Sequence, residues 1–166
     1  MKTFLVPVDF SPVTESVIDS AISFSRAFSG NLVLLHIVVP PVIVTGEYVL
    51  PVEVMQDAIE TGENAAKVRL AEYQTRCAKE GVDCQTVIRH GPPVALIHKE
   101  AEDLIADYIV MGSHGHGKLY DFFVGSTASG VIKKSKCGVI IVPPEDKKSF
   151  RAGFSAEQHS HVTIRP

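Results

Sequence analysis

Five short runs of aliphatic and β-branched residues, at positions 3–8, 32–39, 82–89, 107–111 and 138–143, divide the chain, and each interval between them carries apolar residues at helical spacing. Runs of this kind, apolar almost throughout, fit strands covered on both faces. The third run differs, because Val82, Cys84, Thr86 and Ile88 alternate with mostly polar neighbours, and so reads as an edge strand with one wetter face. Strand–helix alternation demands parallel pairing, since each return to the sheet needs a right-handed crossover. The expected fold is one α/β domain, a doubly wound five-stranded parallel sheet with helices on both faces. Periodicity leaves the strand order open. In such folds ligands bind in a crevice at the carboxyl ends of the central strands, where the winding reverses.

The helices have their own signals. Ser11 and Pro12 read as N-cap and first-turn proline for a helix on which Val13, Val17, Ala21, Phe24 and Phe28 recur, with Gly30 closing it. A long helix over 51–79 follows a loop at 40–50 that carries Val42, Ile43, Val44 and Tyr48, and Gly81 ends it. Pro92 and Pro93 start a third helix with Val94, Ile97, Ala101 and Leu104 on one stripe. The fourth runs through Val131 and Ile132 to Lys136, its lysines at the negative end of the helix dipole. The domain spans 1–144, and 145–166, polar with His159 and His161, reads as a tail or a partner-dependent arm.

Hydrophobic residues make up 45% of the 166 positions and charged ones 21%, enough apolar material for one core. A net charge of -3, with Lys133, Lys134 and Lys136 as the only basic cluster, argues against nucleic acid as a partner. Cys77, Cys84 and Cys137 form no CxxC pair and read as reduced, mostly buried thiols of a cytoplasmic protein. MKTFLVPVDF has no leader-like apolar segment, and the longest apolar tract, 32–44, is broken by His36, Pro40 and Pro41, so no membrane association is expected.

The chemistry concentrates after the fourth run. Gly112-Ser113-His114-Gly115-His116-Gly117 sits at a strand end, and Gly125-Ser126-Thr127 opens the next helix. Glycines allow a ligand to approach peptide N–H groups, and a helix N-terminus adds unpaired donors and a dipole worth about 1 kcal/mol towards an anion. A glycine-rich connector without function would not need both placements. Asp9, at the end of the first strand, faces the same crevice and can accept hydrogen bonds from ribose hydroxyls; its ordinary alternative is helix capping beside Ser11. Lys118 and Arg89 are the cations considered for phosphate, Lys118 ahead because it lies in the loop. The pairs His114/His116 and His159/His161 have no third metal ligand nearby and read as phosphate-facing or solvated, with the loop pair able to make affinity pH-dependent.

Gly112-x-x-Gly115, nine residues, then Gly125-Ser126, together with the opening Val6-Pro7-Val8-Asp9 and Ser11, resembles the universal stress protein family, in its ATP-binding branch. The likeness extends through Val142 and Pro143. It implies the strand order 3-2-1-4-5 and a homodimer through the last strand. It further implies ATP, ADP or AMP with Mg2+ as ligand. Asp9 would meet the ribose hydroxyls or a nucleotide-bound Mg2+, the Ile37 backbone the adenine, and Gly112, Gly115, Gly125, Ser126 and Thr127 the phosphates, with Pro7, Met111 and His116 completing the site. The loop is richer in glycine and imidazole than the family motif, and the segment after Pro144 has no counterpart in it.

The function expected is that of a regulatory stress-response module presenting a nucleotide-dependent surface. The alternative is a slow ATP hydrolase or phosphotransferase drawing on Asp9, His114 and His116. A dimer with an empty pocket is disfavoured by the intact glycine motif.

Overall fold

The computed structural model describes residues 1–39, 52–113 and 124–144. Nine elements follow one another: β1 (Thr3–Val8), α1 (Thr14–Phe28), β2 (Asn31–Val38), α2 (Val52–Lys79), β3 (Cys84–His90), α3 (Pro93–Asp103), β4 (Tyr108–Gly112), α4 (Ser126–Lys134) and β5 (Gly138–Val142). All pairings are parallel and the sheet order is β3-β2-β1-β4-β5. The doubly wound sheet expected from the sequence, in the order implied by the family resemblance, is the one found.

Alternation along the strands sorts the core into two layers. Phe4, Val6 and Val8 of β1 join Leu32, Leu34 and Val110 on one face, under Val17, Ile18 and Ala21 of α1 and Leu70 and Cys77 of α2. Leu5, Val33, Leu35 and Ile109 point the other way, to Ile97 and Ala101 of α3 and Ala128 and Val131 of α4. Strands buried on both sides therefore need apolar residues at successive positions, which is why these runs do not alternate. Cys77 and Cys84 are buried as expected and Cys137 is half-buried.

Several boundaries differ from expectation for local reasons. α1 begins at Thr14, and Ser11 does not cap it; the Thr14 N–H donates to the Ser11 carbonyl at 2.9 Å in the turn that leads in. At the other end Ser29, not Gly30, takes the left-handed conformation (φ 49°). Gly81 does end α2 with φ +72°. β3 lies at the sheet edge, but Thr86 is exposed, so its inward alternation reduces to Cys84, with Ile88 half-buried. α1 and α2 are tied by Tyr73, whose hydroxyl donates to Glu15 at 2.6 Å and whose pKa is pushed up to about 12 by burial and that carboxylate.

Arg89, considered for phosphate, is engaged within the protein. Its guanidinium makes a two-pronged contact with Glu100 of α3, Nε to Oε2 at 2.9 Å and a terminal nitrogen to Oε1 at 3.1 Å, and Glu100 is only 5% exposed. Removing the cation strands a buried carboxylate, which costs far more than an exposed pair. Arg89→Met is expected to lower unfolding free energy by about 2 kcal/mol, below the roughly 3–5 kcal/mol of a fully buried pair because Arg89 is half-exposed. Adding Glu100→Leu should restore most of it in denaturant melts. A single variant as stable as wild type would show the pair to be incidental.

Candidate functional site

The carboxyl ends of β1 and β4 diverge where the winding reverses, and α1, α3 and α4 wall the gap. The result is a cavity of about 460 Å3, within the usual range for small-molecule sites. Pro7 and Asp9 line it from β1 and the turn after it, Ile37 from β2, and Met111 and Gly112 from β4. Gly125, Ser126 and Thr127 line it from the start of α4. All eight expected site residues that lie within the described segments thus surround one space. Gly115, His116, His114, Lys118, Val42, Val44, Tyr48, His159 and His161 lie outside the described residues.

The two ends of the glycine-rich stretch are joined. Ser113 N–H donates to the Val142 carbonyl at 2.9 Å, and Gly125 N–H donates to the Ser113 carbonyl at 2.7 Å. One expectation changes as a result, because the Gly125 amide is already spent inside the protein. The donors left to a ligand are the first-turn amides of Ser126, Thr127 and Ala128, since the intrahelical ladder begins with Ser129 N–H to Gly125 O at 2.8 Å. Gly125 has φ -56° and ψ 161°, a conformation open to any residue, so its glycine is not needed for the turn.

Across the cavity, Asp9 is held by its own turn. Its Oδ1 accepts the Ser11 N–H at 3.0 Å and lies 3.5 Å from the Thr14 hydroxyl. Asp9 does not cap α1, whose N-cap is Val13 with no side-chain cap bond; it lines the cavity while its Oδ1 orders the turn that leads into the helix. It is the one charged side chain among the described lining residues, facing the positive end of the α4 dipole. Among the described residues no cluster of three or more His, Cys, Asp or Glu is placed to hold a metal ion.

The remaining wall was not singled out in the sequence. Val13, Val17 and Ile97 belong to helical stripes that signal core packing, and they serve both purposes here. Of the polar wall residues, Thr14, 2% exposed, was not singled out, and Ser113 was named only as part of the glycine-rich stretch, with no role of its own; a threonine five residues after the strand-end aspartate was the available signal for the first.

A doubly wound parallel domain with a ligand-sized cavity at the switch point, an acid on one rim and a helix N-terminus on the other, has its cavity where ligands bind in folds of this class. The chain belongs to the universal stress protein family, whose model matches residues 1–143. It is 32% identical over 152 residues to universal stress protein MJ0577 of Methanocaldococcus jannaschii, covering 85% of this chain and 94% of that protein. The solved structure of MJ0577 superposes with a TM-score of 0.76 at 29% identity, over 87% of this chain and 97% of the other. The same fold occurs in a universal stress protein solved with cAMP (TM-score 0.65, 24% identity, 87% of this chain and 98% of that one). It occurs again in one from Archaeoglobus fulgidus solved with dAMP (TM-score 0.59, 23% identity, 85% and 97%). No helix among the described residues is long and apolar enough to cross a membrane.

Proposed function

We propose that this universal stress protein binds an adenine nucleotide, ATP foremost, in the cavity between β1 and β4 and acts as a regulatory module rather than an efficient enzyme. The observation that carries this reading is the opposition of the free first-turn amides of α4 to the Asp9 carboxylate across one 460 Å3 space. The amides of Ser126, Thr127 and Ala128, with the Ser126 and Thr127 hydroxyls and the helix dipole, suit phosphate oxygens. Asp9 suits ribose hydroxyls, and Ile37 and Val39 with Val13 and Pro93 offer an apolar berth for a base. Proteins of the same fold solved with cAMP and dAMP support the class of ligand.

Mg2+ fits only as a companion of the nucleotide. It keeps several waters and is satisfied by one or two carboxylates plus phosphates, and Asp9 is the carboxylate at hand. The buried free thiols suit a reducing compartment such as the cytoplasm. Among the described residues β5 ends the sheet, and its outer edge is the surface on which a second copy would pair to form a homodimer.

The test is binding. ATP at a hundred times its Kd should stabilise the protein by about 2.7 kcal/mol, and calorimetric titration should return one site per chain. Protein that shows neither heat nor stabilisation with ATP, ADP and AMP has no such site, and the reading falls.

A further inference from the structure

Phe10 follows Asp9 and adopts φ +60°, a left-handed conformation that is unusual for a bulky residue. Glycine would adopt it freely, so the side chain must be held there by what it touches. Its ring stacks on His36 of β2, centroids 4.4 Å apart with 28° between planes. The guanidinium of Arg69, from α2, lies over the same ring with its carbon 4.7 Å from the centroid. His36 is itself fixed, because its Nδ1 donates to the Val8 carbonyl at 2.9 Å, and Val8 is its register partner in the sheet. The peptide before Asp9 is thus pinned by His36, the residue after it is pinned by His36 and Arg69, and Asp9 Oδ1 is tied to Ser11.

We propose that Phe10, held by its stack on His36 and Arg69, is a positioning residue that aims the Asp9 carboxylate at the ribose of a bound nucleotide. The inference rests on the nucleotide reading and adds what sets its sugar selectivity. Phe10 touches no ligand in this scheme. The ring acts through the backbone, converting contacts on β2 and α2 into a fixed direction for its neighbour, and directional hydrogen bonds to a carboxylate weaken steeply as the acceptor turns away.

ATP and 2′,3′-dideoxy-ATP differ only in the hydroxyls that Asp9 would receive, so their affinity ratio reports the aim of the carboxylate. Wild type is expected to favour ATP by about tenfold or more, the worth of a charge-assisted hydrogen bond. In Phe10→Gly, which keeps the left-handed turn but lacks the ring, the ratio should fall towards one while dideoxy-ATP affinity stays within about twofold of wild type. Phe10→Tyr should retain the wild-type ratio. Arg69→Met, at an exposed position where folding is not at risk, should lower the ratio by about two- to fivefold, the value of an exposed cation–ring contact. A ratio unchanged in both Phe10→Gly and Arg69→Met overturns the proposal, as does an equal loss for both nucleotides, which would mark the ring as ordinary packing. Wild type that binds neither nucleotide sinks the binding reading itself, and wild type that binds both equally sinks the role of Asp9 and this proposal with it while leaving the binding reading standing.

Discussion

Gly125→Val is expected to weaken ATP binding by about a thousandfold while leaving the unliganded protein folded. The argument turns on why glycine stands at that position. Its φ of -56° and ψ of 161° are available to valine, and its N–H bond to Ser113 does not involve a side chain. No backbone strain is introduced, so the apo melting temperature should move little, as for substitutions outside the named destabilising mechanisms. What changes is the cavity, which Gly125 lines next to the Ser126, Thr127 and Ala128 amides, so a branched side chain there is expected to take space that a phosphate would fill. Losing two charge-assisted hydrogen bonds at about 2 kcal/mol each gives about 4 kcal/mol, close to three decades of affinity. Calorimetric titration against a parallel melt of the apo protein decides it. Affinity within about threefold of wild type would mean that the ligand does not approach the start of α4, and the phosphate site would have to lie elsewhere.

How far such a site can be read from sequence depends on the range of the interactions that make it. The glycines at 112 and 125 and the acid at 9 were legible because each sits at the end of a run whose type is set locally, by apolar continuity or helical period. That they share one cavity depends on the order of strands, which came from the resemblance to a family and not from periodicity. The occupied amide of Gly125 and the pairing of Arg89 with Glu100 join separate elements, and no local pattern announces either. Val13, Val17 and Ile97 were legible as apolar stripes but not as a wall, because a helix stripe looks the same whether it meets a sheet or a ligand. The end of α1 shows a local rule applied one residue late. A glycine beyond a helix suggests a left-handed cap, yet Ser29 accepts that conformation and Gly30 answers to a different demand.

That demand leads to a large effect on stability: Gly30→Ala is expected to cost about 3 kcal/mol, towards the upper end for overpacking. A methyl placed on Gly30 would lie 2.5 Å from the Lys2 carbonyl oxygen and 2.7 Å from the Phe4 ring. Neither can give way cheaply. The Lys2 carbonyl accepts the Asn31 N–H at 2.9 Å at the start of the β1–β2 ladder, and Thr3 and Asn31 are register partners. Phe4 is fully buried and its ring stacks on Tyr108, centroids 5.4 Å apart. The Gly30 carbonyl is held as well, accepting the buried Ser25 hydroxyl at 2.7 Å. Relief would require β1 and β2 to separate where the sheet begins, so the deficit should appear as a fall in melting temperature of about 10 °C. Ser29→Gly provides the contrast, since it removes the disfavoured left-handed side chain and should leave stability unchanged or raise it by up to about 1 kcal/mol. If glycine at 30 were serving as the helix cap, the two substitutions would not separate in this way. A Gly30→Ala protein melting within 2 °C of wild type would show that the strands yield, and that the close approach of α1's exit to β1 is not what keeps this position small.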